Sequence, residues 1–386
     1  MKRCVLVMAA VIALAGCQYA AEKSVPSDND LAAQARAHGQ QAPRAAAAAR
    51  SGAPVRSADP EMAELTALLG RSNLAAGQMA PTAIVNIRQH SFQNVGRDTD
   101  PSVDRTGRRM VYASTAHSQR SDIFLKDVDG QAVTQLTTDP ASDLQPAISP
   151  DGNLVAFTSN RSGGWEIYVM SIDGKSVRQV TSGAGENLHP SWSPDGTKLV
   201  YCCRSDRSGQ WEVWIVHLLA PMTRQFIGHG LFPVWSPTDD LIAYQRPRER
   251  GLQLYGIWTI RLVNGEPSLP TQVASAPDTA YLCPAFSADG SQLAFAAITP
   301  EGGPDATDIY SVDVNGESLQ RLTKGPGRKF GPMWAGDRIF FSFNRGGQEN
   351  IWSVQVESGP KVVATSTPRA RKSETVAKID ATVEGH

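Results

Sequence analysis

One motif recurs six times from residue 98 onward, and it limits the possible folds more than any other feature of the chain. Each copy places a proline two residues before an apolar or aromatic residue: Pro101/Val103, Pro146/Ile148, Pro190/Trp192, Pro233/Trp235, Pro284/Phe286 and Pro332/Trp334. The prolines are 45, 44, 43, 51 and 48 residues apart. A turn follows, as in Ser149-Pro-Asp-Gly152, Ser193-Pro-Asp-Gly196, Ser236-Pro-Thr-Asp239 and Ser287-Ala-Asp-Gly290, with weaker forms at Asp104-Arg-Thr-Gly107 and Ala335-Gly-Asp337. Alternating runs such as Leu154-Val-Ala-Phe157 come next, then a variable loop. A third run repeats as Ile123-Phe124, Ile167-Tyr168, Val213-Trp214, Ile257-Trp258, Ile309-Tyr310 and Ile351-Trp352. The last run ends in sequences such as Gln135-Leu-Thr137, Gln179-Val-Thr181 and Arg321-Leu-Thr323.

Alternation with β-branched and aromatic residues predicts strands, and the Asp-Gly steps predict tight hairpin turns. Four antiparallel strands in about 45 residues make one blade of a β-propeller. A blade has two apolar faces and cannot bury both alone, so a ring of blades is the stable form. The aromatic two residues after each proline is expected between blades. Closing the ring needs a strand from far away in sequence. Val85-Asn-Ile87-Arg88-Gln89 aligns with Val177-Arg178-Gln179, so residues 83–91 are expected as the outer strand of the sixth blade. Lys361-Val-Val-Ala364 competes for that place. The expected fold is all-β: a six-bladed propeller of four-stranded blades over 82–367, preceded by a flexible tether.

The Pro-x-Trp-Ser-Pro-Asp-Gly and Ile-Tyr pattern resembles the repeat of TolB-type propellers. The resemblance spans the six copies and implies their fold. TolB proteins carry an α/β domain before the propeller and no lipid; a spacer stands in that position here. The partners of TolB are therefore not carried over with the fold.

The amino terminus reads as an address. Met1-Lys2-Arg3, an apolar run from Val5 to Leu14 and Leu14-Ala15-Gly16-Cys17 fit an export signal. The last four residues resemble the lipobox of bacterial lipoproteins. That resemblance implies cleavage after residue 16 and a diacylglyceryl group on Cys17, and two or more acyl chains anchor stably. Gln18 in the next position implies sorting to the outer membrane, on its periplasmic side or at the cell surface. Residues 17–57 are poor in large apolar side chains and are expected to form a disordered tether. Residues 58–81 hold a short helix and connector, with Asp59 capping, Pro60 at the first turn and Met62, Leu65 and Leu69 at helical spacing. Residues 368–386 are a polar tail.

Five cysteines, of which Cys4 and Cys17 lie in the address, leave Cys202, Cys203 and Cys283 for the fold. That is too few for a disulfide framework. Neighbours on a strand face opposite ways, so one of Cys202 and Cys203 is expected buried and the other not, and their expected role is that of small buried hydrophobes. A net charge of −1 gives no basis for nucleic-acid binding. No Gly-x-Ser-x-Gly elbow, phosphate loop or zinc-type histidine spacing occurs, and no catalytic residues are assigned.

Loops on a rigid ring are where binding residues are expected. Arg161, Arg207 and Arg345 stand at equivalent positions six residues before the third run, and are expected to pair with Asp122, Glu166, Glu212 or Asp308. Arg246, Arg248 and Arg250 cluster in one repeat only, which favours a ligand or partner contact. His189, immediately before Pro190, is placed at the channel mouth. Asp100, Asp143 and Glu186 are weak candidates for a hard cation such as Ca²⁺ in the channel, which takes oxygen ligands. The expected protein is a monomeric, non-catalytic envelope platform that binds a protein or peptide and meets the membrane through its lipid. The alternative is an envelope polysaccharide-binding protein, or a metal-dependent lyase working through the channel.

Overall fold

A computed structural model describes residues 87–183, 185–219, 223–247, 254–299 and 306–356. The lipobox with Cys17, the tether, the helix around Pro60, Lys361–Ala364 and the polar tail lie outside the described residues. Among the described residues, twenty-five strands form six antiparallel sheets. Blade 1 runs Asp98–Val103, Arg109–Ser114, Asp122–Asp127 and Val133–Gln135. Blade 2 runs Asp143–Ile148, Leu154–Ser159, Glu166–Ser171 and Arg178–Gln179. Blade 3 runs Glu186–Trp192, Lys198–Arg204, Trp211–His217 and Arg224–His229. Blade 4 runs Leu231–Trp235, Leu241–Pro247, Tyr255–Val263 and Thr271–Ala274, with a short hairpin to Glu266–Pro267. Blade 5 runs Ala280–Phe286, Gln292–Ile298, Thr307–Asp313 and Gln320–Arg321.

Blade 6 takes three strands from Arg328–Ala335, Arg338–Arg345 and Gln348–Gln355, and its fourth from Ile87–Gln89. Ile87, Arg88 and Gln89 pair with Val354, Ser353 and Trp352. Ile87–Gln89, within the expected closing segment, therefore holds the outer place in the sixth blade, and residues 83–86 lie outside the described residues. The inner strands contact one another in blade order, and blade 6 returns to blade 1.

Local chemistry explains the repeats. In the Ser-Pro-Asp-Gly turn, Gly152 N–H donates to Ser149 O at 2.9 Å, and Leu154 N–H donates to Ser149 Oγ at 2.9 Å. Gly152 has φ 74°, a left-handed value that glycine takes without steric cost. The Leu-Thr ending of the fourth strand is a latch. Thr137, Thr181 and Thr323 accept the N–H groups of Ile123, Ile167 and Ile309 at 2.9, 2.8 and 2.9 Å. The same hydroxyls of Thr181 and Thr323 donate to Glu166 and Asp308, the acids at the start of the third strand.

The aromatic after each proline packs back on the preceding blade. Trp192 sits with Ala156 and Val169, Trp235 with Val200 and Val213, and Phe286 with Ile257. All three aromatics are buried, and burial of a side chain such as Phe286 contributes roughly 2–3 kcal/mol. Cys202 and Cys203 correct the expectation of one exposed thiol: both are buried, Cys202 on the face shared with Leu188 and Leu231, Cys203 on the face shared with Tyr201 and Trp192. Alternation separates the faces of a blade, but in a propeller both faces are covered.

Candidate functional site

Each inner strand carries the same irregularity. Two residues, the second a proline, oppose one aromatic residue of the neighbouring strand. Asp100-Pro101 oppose Tyr112, Gln145-Pro146 oppose Phe157, and His189-Pro190 oppose Tyr201. Phe232-Pro233, Cys283-Pro284 and Gly331-Pro332 oppose Tyr244, Phe295 and Phe341. A bulge leaves a residue unpaired, so the missing proline N–H costs no ladder bond.

The residue before each proline is left-handed, with φ of 53°, 53°, 56°, 51°, 52° and 56° for Asp100, Gln145, His189, Phe232, Cys283 and Gly331. A Cβ disfavours that region, and a following proline disfavours helical backbone further. Its presence in all six blades means that ring packing overrides local preference. The left-handed turn aims each N–H at the preceding blade. His189 N–H donates to Gln145 Oε1 at 2.9 Å, Cys283 N–H to Gln245 Oε1 at 2.9 Å, and Asp100 N–H to Ser342 Oγ at 3.2 Å. The Gln145 N–H likewise serves the Asp100 carboxylate. These bonds stitch the blades together around the axis.

The six bulges surround a cavity of about 170 Å³, lined by the left-handed residues, the six prolines and the residue after each proline. Asp100 and His189 keep partial exposure to it, whereas Gln145, Phe232 and Cys283 are buried. Burial, reinforced by the Glu349 carboxylate, raises the Asp100 pKa to about 7. Burial lowers that of His189 to about 3, so its imidazole is neutral. Gln145 Nε2 lies 3.0 Å from His189 Nε2, and the imidazole lies against the Phe232 ring with centroids 3.9 Å apart. Burial, with the Asp100 carboxylate adding to it, pushes the Cys283 thiol up. Among the described residues no lysine or arginine forms an ion pair with Asp100.

His189 and Asp100 thus meet in the channel ring. Gln145, Phe232, Cys283 and Gly331 belong there as well, and sequence reasoning missed them; their shared place before the motif proline was the available signal. The other two cation candidates stand apart from Asp100. Asp143 is fully buried and paired with Arg161, and Glu186 faces Arg204 at 3.9 Å. Among the described residues, no three His, Cys, Asp or Glu side chains are grouped to hold a metal.

Arg161 corrects its expected pairing. It bridges Asp139 at 2.7 Å and Asp143 at 2.9 Å and stacks over Phe157 and Tyr168, while Glu166 is taken by Thr181 and Asn187. Arg207 is exposed at a turn. Arg345 is exposed at a hairpin end, with its guanidinium 5.5 Å from the centroid of the Trp352 ring. Arg246 lies over Trp258 at 4.8 Å, and Arg248 and Arg250 are outside the described residues.

The model of the TolB beta propeller domain family matches residues 98–256. A TolB homolog of Chlorobaculum tepidum is 39% identical over 57 residues, 15% of this chain and 13% of that protein. The matched segments cover a quarter or less of each curated relative. A solved structure of putative TolB from Agrobacterium tumefaciens superposes with a TM-score of 0.52 at 19% identity, over 67% of this chain and 90% of that one. The oligogalacturonate lyase of Vibrio parahaemolyticus superposes with a TM-score of 0.50 at 13% identity, over 71% and 94%. Residues 98–256 carry the TolB β-propeller domain pattern, and the six blades share the propeller fold of the putative TolB structure.

Proposed function

We propose that this protein is a non-catalytic binding platform of the cell envelope, held by lipid at Cys17, that receives a protein or peptide segment at the mouth of its channel. The observation that carries the reading is the ring itself. Six different residues, each fixed on a rigid bulge and bonded to the neighbouring blade, face one cavity on the axis. Five different side chains and the bare Gly331 give that cavity a distinct chemistry on each side. Pre-organised side chains bind without a large ordering cost. The exposed Arg207 and Arg345, on loops at the end of the ring where the inner strands begin, supply a polar rim.

In-cell photocrosslinking tests this. A photoreactive residue in place of Arg207 or Arg345 is expected to capture one discrete envelope protein. A lack of capture together with turnover of acidic oligosaccharides by the purified chain would overturn the reading in favour of an enzyme.

A further inference from the structure

Round the channel from blade 1 to blade 6 stand Asp100, Gln145, His189, Phe232, Cys283 and Gly331. Blades three apart face each other, so the Asp100 carboxylate stands across the axis from Phe232. Beside it Gly331 leaves space: a Cβ there would lie 3.9 Å from Asp100 Oδ1. Asp100 is the one carboxylate in the ring. The donors to its oxygens are the Gln145 N–H and the Thr99 hydroxyl at 3.4 Å, neither of them charged. The nearby Glu349 adds negative potential instead of relieving it.

We infer that the channel ring is a binding site for an alkylammonium group, with Asp100 as its counter-ion and Phe232 as its aromatic wall. The inference rests on the platform reading, because the group would arrive on a partner peptide as a lysine side chain or a free amino terminus. The six prolines make an apolar sleeve that suits methylene groups, and the cavity holds several waters or one such chain with its head. An ammonium makes charge-assisted hydrogen bonds to a carboxylate and is attracted by an aromatic face. The neutral His189 does not repel it. An anion would meet Asp100 and Glu349 with like charge. The groups that share the field of Asp100 are Glu349, itself offset by Arg97 and Arg328, and the protonated Cys283 thiol. Because burial and Glu349 hold the Asp100 pKa at about 7, binding of an ammonium must displace its proton and should tighten with rising pH.

Calorimetric titration of the full chain tests this with three probes: N-acetyl-lysine N-methylamide, alanine N-methylamide with its free amine, and N-acetyl-norleucine N-methylamide as the uncharged control. The two amines separate a side-chain source from a terminal one. Binding of either amine but not of the norleucine compound is expected, strengthening several-fold between about pH 6 and pH 8. Asp100→Asn keeps a residue that tolerates left-handed backbone and should weaken binding by about tenfold or more. Equal binding of the norleucine probe, binding unchanged in Asp100→Asn, or calcium binding that excludes both amines would overturn the inference. Partner capture that persists undiminished in Asp100→Asn would overturn it while leaving the platform standing; capture lost in that variant supports both.

Discussion

His90 and Ser353, 263 residues apart, share a buried hydrogen bond of 2.8 Å between the imidazole Nε2 and the hydroxyl. The other ring nitrogen lies 3.2 Å from Val128 O in blade 1. The Lys126 ammonium donates to His90 O. One histidine thus ties the closing strand to both blades that flank the seam of the ring.

That contact makes closure sensitive to acid. Burial lowers the His90 pKa to about 4, with Arg88, Arg338 and Lys126 adding repulsion. The unfolded chain therefore binds the proton first, and stability falls as pH drops from about 6.5 toward 4. The loss from this group should reach about 2 kcal/mol between pH 7.5 and pH 5. Urea midpoints at the two pH values should show it, and a His90→Asn variant should lose most of that slope.

Asp100 predicts the opposite slope. Its pKa is raised to about 7, so the folded state holds a proton that the unfolded state has released, and its contribution to stability is lost as pH rises from about 4 through 7. Asp100→Asn should therefore raise stability by roughly 4 kcal/mol at pH 8 and change it little at pH 4. Thermal melts of both proteins at the two pH values check this. A more stable protein that no longer binds amines would mark the residue as kept for function.

The arginines divide by burial. Arg161→Ala would strand the fully buried Asp143 and should cost about 3 kcal/mol. Replacing the exposed Arg207 with Ala should change stability by less than about 0.5 kcal/mol. Denaturant midpoints of the two variants separate a packing role from a surface one.

Gly331 tests the left-handed ring. With φ 56° and no close atoms but Asp100 Oδ1, substitution is governed by backbone rather than space. Gly331→Asn should be tolerated within about 0.5 kcal/mol, while the β-branched Gly331→Val should cost roughly 1–3 kcal/mol. Chemical denaturation of the pair measures the difference.

The blades were legible because their signals are local. Alternation, Asp-Gly turns and the apolar residue after each proline specify strands and the face each buries. Even the closing strand was readable, from the likeness of Ile87-Arg88-Gln89 to Val177-Arg178-Gln179. The channel ring was only half legible. His189 and Asp100 could be placed, but at Phe232 or Cys283 local rules argue against left-handed backbone before proline, and only contact between blades imposes it. The pairing of Arg161 was hidden for the same reason. Asp143 lies 18 residues away on the inner strand, and nothing in the spacing prefers it to Glu166. The two cysteines misled because alternation assigns faces without saying that both are covered.

The ring is closed by Ile87–Gln89, the strand that precedes blade 1 in sequence. Gln89 and Trp352 are cross-strand partners, so the thiols of a Gln89→Cys, Trp352→Cys double variant should oxidise to one disulfide. Mass mapping of the oxidised full chain should find the peptides containing those two positions linked in the monomer. Both thiols left free under conditions that bridge another designed cross-strand pair in the same blade would contradict closure.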